Sequence, residues 1–380
     1  MKVLILTTFY FPHWTGLVQY AKSLAEGLVI KNNNVTILTT RHENRLKDRE
    51  NIAGVDVFRT PVWFRVSRTW ISPKFVFEFK KITENDVVIV FLPMAEAVIA
   101  VLLARIFKKK VYLVHNGDLV LTAGLLNRVI EKIFIWTTAI AISLSNGIIV
   151  NTKDYAENSQ LLKRFESKWI EIRPPFKKMV IGENGETKID EKLTGSKYVV
   201  GFAGRFVEEK GFDLLLDAIP LVKNKLPGVR FLFAGETNMP YEKTFEKHEL
   251  LINKLKDDLI MMSRLERDEM ANFYKALDVF VISSKSDFFP FTQAEALISG
   301  VPVVVMDIPG ARWPVVKTGM GILVRFRNPI ELADGIVKAI KNRNLLMKNF
   351  NKVKDFFNYE STMQKYENLL KGKNESKLQD

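Results

Sequence analysis

Short apolar runs, each closed by a turn and followed by a longer amphipathic stretch, recur along this chain and constrain its fold more than any other feature. In the first half they fall at residues 3–7, 35–39, 55–59, 87–91, 111–115 and 148–151. Residues 19–30 and 96–107 lie between them and carry apolar side chains at helical spacing. A run that is apolar at almost every position fits a strand buried on both faces, and strands alternating with helices fit a parallel sheet with helical cover. The pattern breaks at Arg173-Pro174-Pro175-Phe176 and then restarts, with strand-like runs at 198–203, 229–234, 259–262, 279–282 and 301–306. Helical spacing returns near 213–224, 267–276, 292–299 and 330–342.

The reading is therefore α/β, with two doubly wound parallel-sheet domains. The first occupies residues 1–176, a polar connection follows at 177–197, the second domain spans 198–344, and a helical segment with a charged tail closes the chain at 345–380. A length of 380 residues exceeds what one core ordinarily serves, which agrees with two domains. Open sheets of this kind bind ligands beyond the carboxyl ends of their strands, so strand-end loops are the place to look for chemistry.

Charge narrows the partners. The net charge is +13, and residues 1–176 hold 24 basic against 15 acidic residues, so most of the excess lies in the first half. Such a balance favours phosphates, anionic lipid or nucleic acid. No helix-turn-helix, zinc or RNA-binding signature accompanies it, so nucleic acid is not the expected partner. The chain has no cysteine, which excludes disulfides and thiolate metal sites and suits a cytoplasmic location. Its opening apolar stretch, Val3 to Leu6, is too short for a signal-peptide core and reads as a strand. Residues 133–152 carry no charge and have the length of a membrane span. The turn signal Asn146-Gly147 divides them, so a buried helix followed by a buried strand is expected instead.

Two constellations carry chemistry. In the first, Gly201-Phe202-Ala203-Gly204-Arg205 ends a strand and Val207-Glu208-Glu209-Lys210-Gly211 leads into a helix. Helix-start amides attract anions, and Arg205 and Lys210 have the charge to clamp a diphosphate. This spacing is neither a Walker A loop nor a dinucleotide fingerprint, and a solvated turn fits it too. In the second, Asp287-Phe288-Phe289-Pro290-Phe291-Thr292-Gln293-Ala294-Glu295 follows a strand, with Asp287 in the loop and Glu295 about one turn into the next helix. A carboxylate accepts two hydroxyl hydrogen bonds at once and so suits ribose or hexose diols. A loop charge and a helix-surface Glu give the same pattern.

Taken together the two constellations resemble retaining glycosyltransferases of family 4, whose GT-B fold sets two Rossmann-like domains facing a central cleft. The resemblance covers nearly the whole chain. Gly204-Arg205 with Lys210-Gly211 matches the family's phosphate-binding turn, and Asp287 and Glu295 fall on its E-x7-E motif. Gly300-Val301-Pro302-Val303 follows at the family's distance, and Ala234-Gly235-Glu236 matches its glycine-containing strand end. The resemblance implies that Arg205 and Lys210 hold the donor diphosphate and that Glu295 binds ribose hydroxyls. It implies that Asp287 meets the transferred sugar, helped by main-chain N–H groups around Phe289, Phe291 and Thr292. Gly310, in Pro309-Gly310-Ala311-Arg312, matches the second glycine loop near the donor. In the first domain, Pro12-His13-Trp14-Thr15-Gly16 resembles the glycine loop that faces the phosphates, and His115 stands at the family's active-site histidine position.

The chain departs from the family where Asp287 replaces the usual Glu, where Phe288 and Pro290 replace glycines, and where Thr15 and Pro309 displace glycines. The implied activity is transfer of a hexose-type sugar from a nucleotide-diphosphate sugar to a hydroxyl of a glycan or lipid-linked acceptor, with retention, in glycan or cell-surface polysaccharide biosynthesis. No metal is expected, since no Asp-x-Asp pair or close His/Asp cluster is present. No other cofactor is implied, the nucleotide sugar being a co-substrate. A nucleotide-sugar epimerase, a phosphorylase-like enzyme and a catalytically silent nucleotide-sugar-binding protein share the architecture. Interleaved aromatics and cations from Trp63 to Lys81, with Lys108, Lys109 and Lys110, suit peripheral contact with an anionic membrane face. A core-facing aromatic side with an ordinary basic loop accounts for them equally well.

Overall fold

The computed structural model describes residues 1–66, 69–72, 74–119, 124–177, 188–239, 242–325 and 327–373. Ser67, Arg68 and Pro73 of the aromatic and basic stretch, residues 178–187 of the connection read at 177–197, and the tail from 374 lie outside the described residues.

Two compact units result: Met1–Pro175 joined by the chain from Tyr359 onward, and Phe176–Asn358. In the first, β1 (Lys2–Leu6), β2 (Asn34–Arg41), β3 (Arg49–Ile52) and β4 (Val55–Pro61) precede a small antiparallel pair, β5 (Phe64–Val66) and β6 (Thr69–Ile71). Then come β7 (Val87–Phe91), β8 (Lys110–Val114), β9 (Gly147–Val150) and β10 (Trp169–Glu171). The main sheet runs β10-β9-β8-β7-β1-β2-β4-β3, parallel throughout except for the edge strand β3. All five residues of β7 are buried, as their uninterrupted Val-Val-Ile-Val-Phe composition requires.

Helices Ala97–Ile106 and Leu125–Leu144 cover one face with Ala100, Val101, Ala104, Ala141 and Ile142. Leu125–Leu144 ends before the Asn146-Gly147 turn and β9 follows, as that turn signal indicates. The helix is not buried as expected, however, because Ile133 and Trp136 on its outer side are exposed. Lys168 Nζ closes its carboxyl end by donating to the carbonyls of Ile142 and Ser145 at 2.9 and 2.8 Å. Among the described residues no helix is long and apolar enough to cross a membrane.

The second unit contains β11 (Tyr198–Ala203), β12 (Val229–Ala234), β13 (Leu259–Met262), β14 (Val279–Ile282), β15 (Val303–Met306) and β16 (Gly321–Val324). They form one parallel sheet in the order β13-β12-β11-β14-β15-β16. The chain builds outward from β11 on one side and then from β14 on the other, so its direction of growth reverses between those two strands. In the first unit the same reversal falls between β1 and β7.

The terminal segment read as one piece is divided. Leu346, Val353 and Phe357 join the core of the second unit, whereas helix Tyr359–Lys371 packs on helix Gly16–Ile30 of the first. There the hydroxyls of Tyr20 and Tyr366 hydrogen-bond to each other in a fully buried setting. Gly27 makes the approach possible, since a Cβ on it would lie 2.6 Å from both Met363 Cε and the Tyr359 hydroxyl. Both units are doubly wound α/β domains, as the alternation of apolar runs and helical stretches predicts.

Candidate active site

Of the sequence-derived residues of the second unit, Lys210, Asp287 and Gly310 meet at the carboxyl ends of β11, β14 and β15, beside the point where the sheet reverses. β11 runs into Gly204-Arg205, and a 3-10 turn at Glu208–Lys210 leads to helix Phe212–Lys225. Gly211 joins them at φ +64°, and a Cβ there would sit 2.0 Å from the Ser283 carbonyl oxygen, so only glycine allows this turn to lie against the end of β14. Two further bonds fix the contact: Ser283 Oγ donates to the Lys210 carbonyl at 3.0 Å, and Lys285 N donates to the Glu209 carbonyl at 2.7 Å. The turn is also tied to β12, through Phe206 N to the Glu236 carbonyl at 2.8 Å.

This stitching brings Lys210 Nζ within 2.6 Å of Asp287 Oδ2. The Asp287 carboxylate is almost fully buried, and it also accepts from Ser284 Oγ at 3.4 Å and from Phe289 N at 3.3 Å. The Lys210 side chain stays 24% exposed, so the pair is buried on the acid side and partly solvated on the lysine side. Gly310, at φ +83° in the loop after β15, backs the same carboxylate loop: a Cβ on it would lie 2.3 Å from the Phe288 carbonyl oxygen. Gln293 Nε2 donates to the Ala311 carbonyl at 2.9 Å and holds the two loops together.

Pro290 is the N-cap of helix Phe291–Ile298, a position where a missing N–H costs no helical bond. Thr292 is the second residue of that helix and partly exposed. The Phe289 ring is buried against Phe176, Phe291 and Phe357, so only its backbone reaches the carboxylate. The Phe291 ring packs on Phe176 at 5.2 Å between centroids. Arg205 is exposed in the turn after β11.

Glu295 stands on the fifth residue of helix Phe291–Ile298, where its Oε2 accepts from the Tyr274 hydroxyl at 2.9 Å. Burial pushes its carboxyl up to about 7, against the Tyr274 hydrogen bond and the Arg267 charge, which pull it down. Tyr274 was not singled out from the sequence. It comes from helix Arg267–Lys275, and nothing in its local spacing marks it as the partner of a residue 21 positions later.

In the first unit, Gly16 is the first residue of helix Gly16–Ile30, directly beyond the β1 loop. Thr15 caps this helix by accepting from Val18 N at 3.3 Å, which gives a local reason for a threonine at that position. His115 follows β8, is buried, and is held by its backbone N–H to the Ile149 carbonyl at 2.9 Å. Gly117 N donates toward His115 Nδ1 at 3.4 Å, so Nε2 carries the proton of the neutral ring toward Asp118 Oδ1, 3.2 Å away. Ser159 Oγ donates to the same Asp118 oxygen at 3.1 Å. Burial raises the Asp118 carboxyl, but the hydrogen bond and charge of His115, with hydrogen bonds from Ser159 and Tyr155, outweigh it and leave the group below its ordinary value. Asp118 stands in the quoted strand-end stretch, three residues after His115, yet only the structure assigns it a role. Among the described residues, no group of three or more His, Asp and Glu side chains is arranged to hold a metal ion.

Comparison with known proteins decides the family. The profile described as Glycosyltransferase Family 4 matches residues 14–176, and the one described as Glycosyl transferases group 1 matches residues 183–354. The chain belongs to glycosyltransferase family 4. This glycosyltransferase is 23% identical over 365 residues to an uncharacterized glycosyltransferase of Methanocaldococcus jannaschii, with 90% of each chain covered. It is 32% identical over 160 residues to the mannosylfructose-phosphate synthase of Agrobacterium fabrum, covering 39% of this chain and 34% of that one. Its fold is similar to that of a sucrose-phosphate synthase from Thermosynechococcus elongatus, with a TM-score of 0.77 at 17% identity and 98% of each chain covered. It is also similar to Anabaena HepE in complex with UDP and glucose, with a TM-score of 0.78 at 16% identity and 98% and 100% covered.

Proposed function

We propose that this glycosyltransferase moves a hexose-type sugar from a nucleotide-diphosphate sugar to a hydroxyl of a glycan or lipid-linked acceptor, with retention of anomeric configuration. The observation that carries the reading is the Lys210–Asp287 ion pair at the β11/β14 reversal, a partly exposed cation set against a buried acid. HepE, which shares the fold, is described with UDP and glucose bound, and the mannosylfructose-phosphate and sucrose-phosphate synthases are named for sugar products.

In this reading Arg205 and Lys210 neutralise the donor diphosphate, and Glu295 accepts hydrogen bonds from the ribose hydroxyls. The bond between the anomeric carbon and the diphosphate oxygen breaks, and its electron pair leaves with the diphosphate. The acceptor oxygen bonds to the same carbon on the face just vacated, and its proton passes to a departing phosphate oxygen. Fixed positive charge at the leaving group stabilises the negative charge that develops there, an electrostatic contribution that metal ions supply in other transferases. The reading needs no metal and no other cofactor. Asp287 holds Lys210 and meets the transferred sugar with Thr292 and the neighbouring backbone, and His115 helps position that sugar. Gly204, Gly310 and Gly16 leave the backbone close to the donor.

The test is a panel of nucleotide sugars with glycan and lipid-linked acceptors, followed by mass spectrometry and by NMR of the anomeric proton. Transfer with the donor's anomeric configuration is expected, and transfer with inversion overturns retention. Arg205→Ala and Glu295→Ala are expected to abolish donor-induced thermal stabilisation, and full affinity in both overturns the assigned roles.

A further inference from the structure

Helix Leu125–Leu144 turns an apolar stripe to solvent. Leu125, Val129, Ile133 and Trp136 are 83, 52, 57 and 67% exposed, and their spacing of three or four residues puts them on one helical face. The stripe is roughly 16 Å long at the rise of an α-helix. Arg128 and Lys132, both exposed, fall on the same face between the apolar positions. Helix Ala97–Ile106 packs alongside and ends in exposed Ile106, two residues before exposed Lys108, so the mixture of apolar and cationic groups continues onto the neighbour. Solvated helix faces ordinarily carry charged and polar residues, and nothing in the described chain covers this one.

We propose that this face docks the protein on an anionic lipid bilayer. Lys132 between the apolar positions sets it apart from a protein interface, whose centre is depleted of lysine. On a bilayer the same arrangement is favourable: the apolar side chains enter the headgroup boundary, tryptophan sits at headgroup level, and Arg128 and Lys132 meet lipid phosphates. The excess of 24 basic over 15 acidic residues in 1–176 adds attraction of the same sign. The sequence placed the membrane-facing surface at Trp63 to Lys81. There Phe75 is buried in the core and Lys81 Nζ lies 3.3 Å from the centroid of the Phe58 ring, so part of that stretch serves packing within the domain. The docking face is independent of the donor assignment, and its test involves no donor.

The experiment is flotation of the full chain with vesicles of phosphatidylcholine and with vesicles containing about 30% phosphatidylglycerol. Binding to the anionic vesicles is expected, weakened at least about tenfold by neutral lipid or by roughly 0.5 M salt. Val129→Ser with Trp136→Ser is expected to lose about tenfold or more in partitioning, since both apolar groups then stay out of the boundary. Arg128→Gln with Lys132→Gln is expected to lose the preference for anionic lipid. All four side chains are exposed, so both double variants keep the parent melting temperature. The proposal is overturned if the parent chain stays with the unbound fraction, if both variants float as it does, or if sedimentation velocity shows a dimer that Val129→Ser with Trp136→Ser splits. That last result would give the face to a second copy.

Discussion

Lys210 Nζ and Asp287 Oδ2 lie 2.6 Å apart, which makes the buried acid of the β14 loop the anchor for the cation of the β11 turn. The acid read as a sugar ligand and the lysine read as a phosphate ligand are therefore one unit. Removing Lys210 leaves a buried carboxylate without its counterion, at a cost of about 2 kcal/mol, less than for a fully enclosed pair because the lysine is partly solvated. Lys210→Ala, Asp287→Asn and the double variant are compared by urea denaturation and by kcat/KM. Coupling of about 1 kcal/mol or more in stability is expected, with a loss of roughly a hundredfold or more in kcat/KM for each single variant. Strict additivity would show that the two side chains act separately.

Donor affinity should depend on pH through Glu295. Burial holds its carboxyl up to about 7, so near neutrality a fraction of the unliganded protein carries a proton there. Ribose hydroxyls donate to the ionised form, so binding favours loss of that proton and affinity rises with pH through about 7, then levels off. The stability term has the opposite slope. Between the ordinary carboxyl value of 4.5 and about 7 the folded chain holds a proton that the unfolded chain has released, so this contribution declines as pH rises across that window. Calorimetry of nucleotide-sugar binding in buffers of different ionisation enthalpy reads the released proton directly. Glu295→Gln should flatten the pH profile, and Tyr274→Phe, which removes a hydrogen bond that lowers the carboxyl, should move the rise to higher pH. A profile unchanged in both variants would remove Glu295 from ribose recognition.

How much of this was legible in the sequence follows from what each feature depends on. Val87–Phe91 and Tyr198–Ala203 announced themselves because strands buried on both faces must be apolar at nearly every position. Gly211 and Asp287 were legible because turns and strand-end acids obey local rules. The edge strand β3, Arg-Glu-Asn-Ile, has no apolar run and was invisible. β16, Gly-Ile-Leu-Val, was missed as well. The outward face of residues 133–144 was misread as buried, because a stretch without charge has no polar side to mark solvent. Tyr274 with Glu295 and Tyr20 with Tyr366 depend on which helices meet, and no spacing rule encodes that.

His115 is held by Asp118, and the hold should show in turnover. With Nδ1 accepting from Gly117 and Nε2 directed at Asp118, the carboxylate sets both ring orientation and tautomer. Asp118→Ala frees the ring, and a displaced group in a reaction site costs on the order of a hundredfold in rate. Asp118→Asn keeps an acceptor at the same place and should recover most of the loss. A positioning role predicts a fall in kcat with donor affinity preserved. A merely structural role predicts a lower melting temperature with kcat per folded molecule unchanged, and that outcome would sink the assignment.

Gly310 separates two costs that a glycine substitution usually mixes. At φ +83° any L side chain is strained by about 1 kcal/mol, and at Gly310 the new Cβ would also lie 2.3 Å from the Phe288 carbonyl oxygen and 3.0 Å from that of Asp287. Gly195 has nearly the same backbone, φ +81°, with nothing within 4 Å of the corresponding Cβ. Gly195→Ala should therefore show only the backbone term, a small drop in melting temperature with donor affinity intact. Gly310→Ala must in addition push the β14 loop, carrying Asp287 away from Lys210, so about 2 kcal/mol or more of stability and roughly tenfold or more in donor affinity should go together. Thermal denaturation and nucleotide-sugar titration of both variants give the comparison. If Gly310→Ala loses stability but binds donor as well as Gly195→Ala does, the loop behind Asp287 does not set the position of the ion pair.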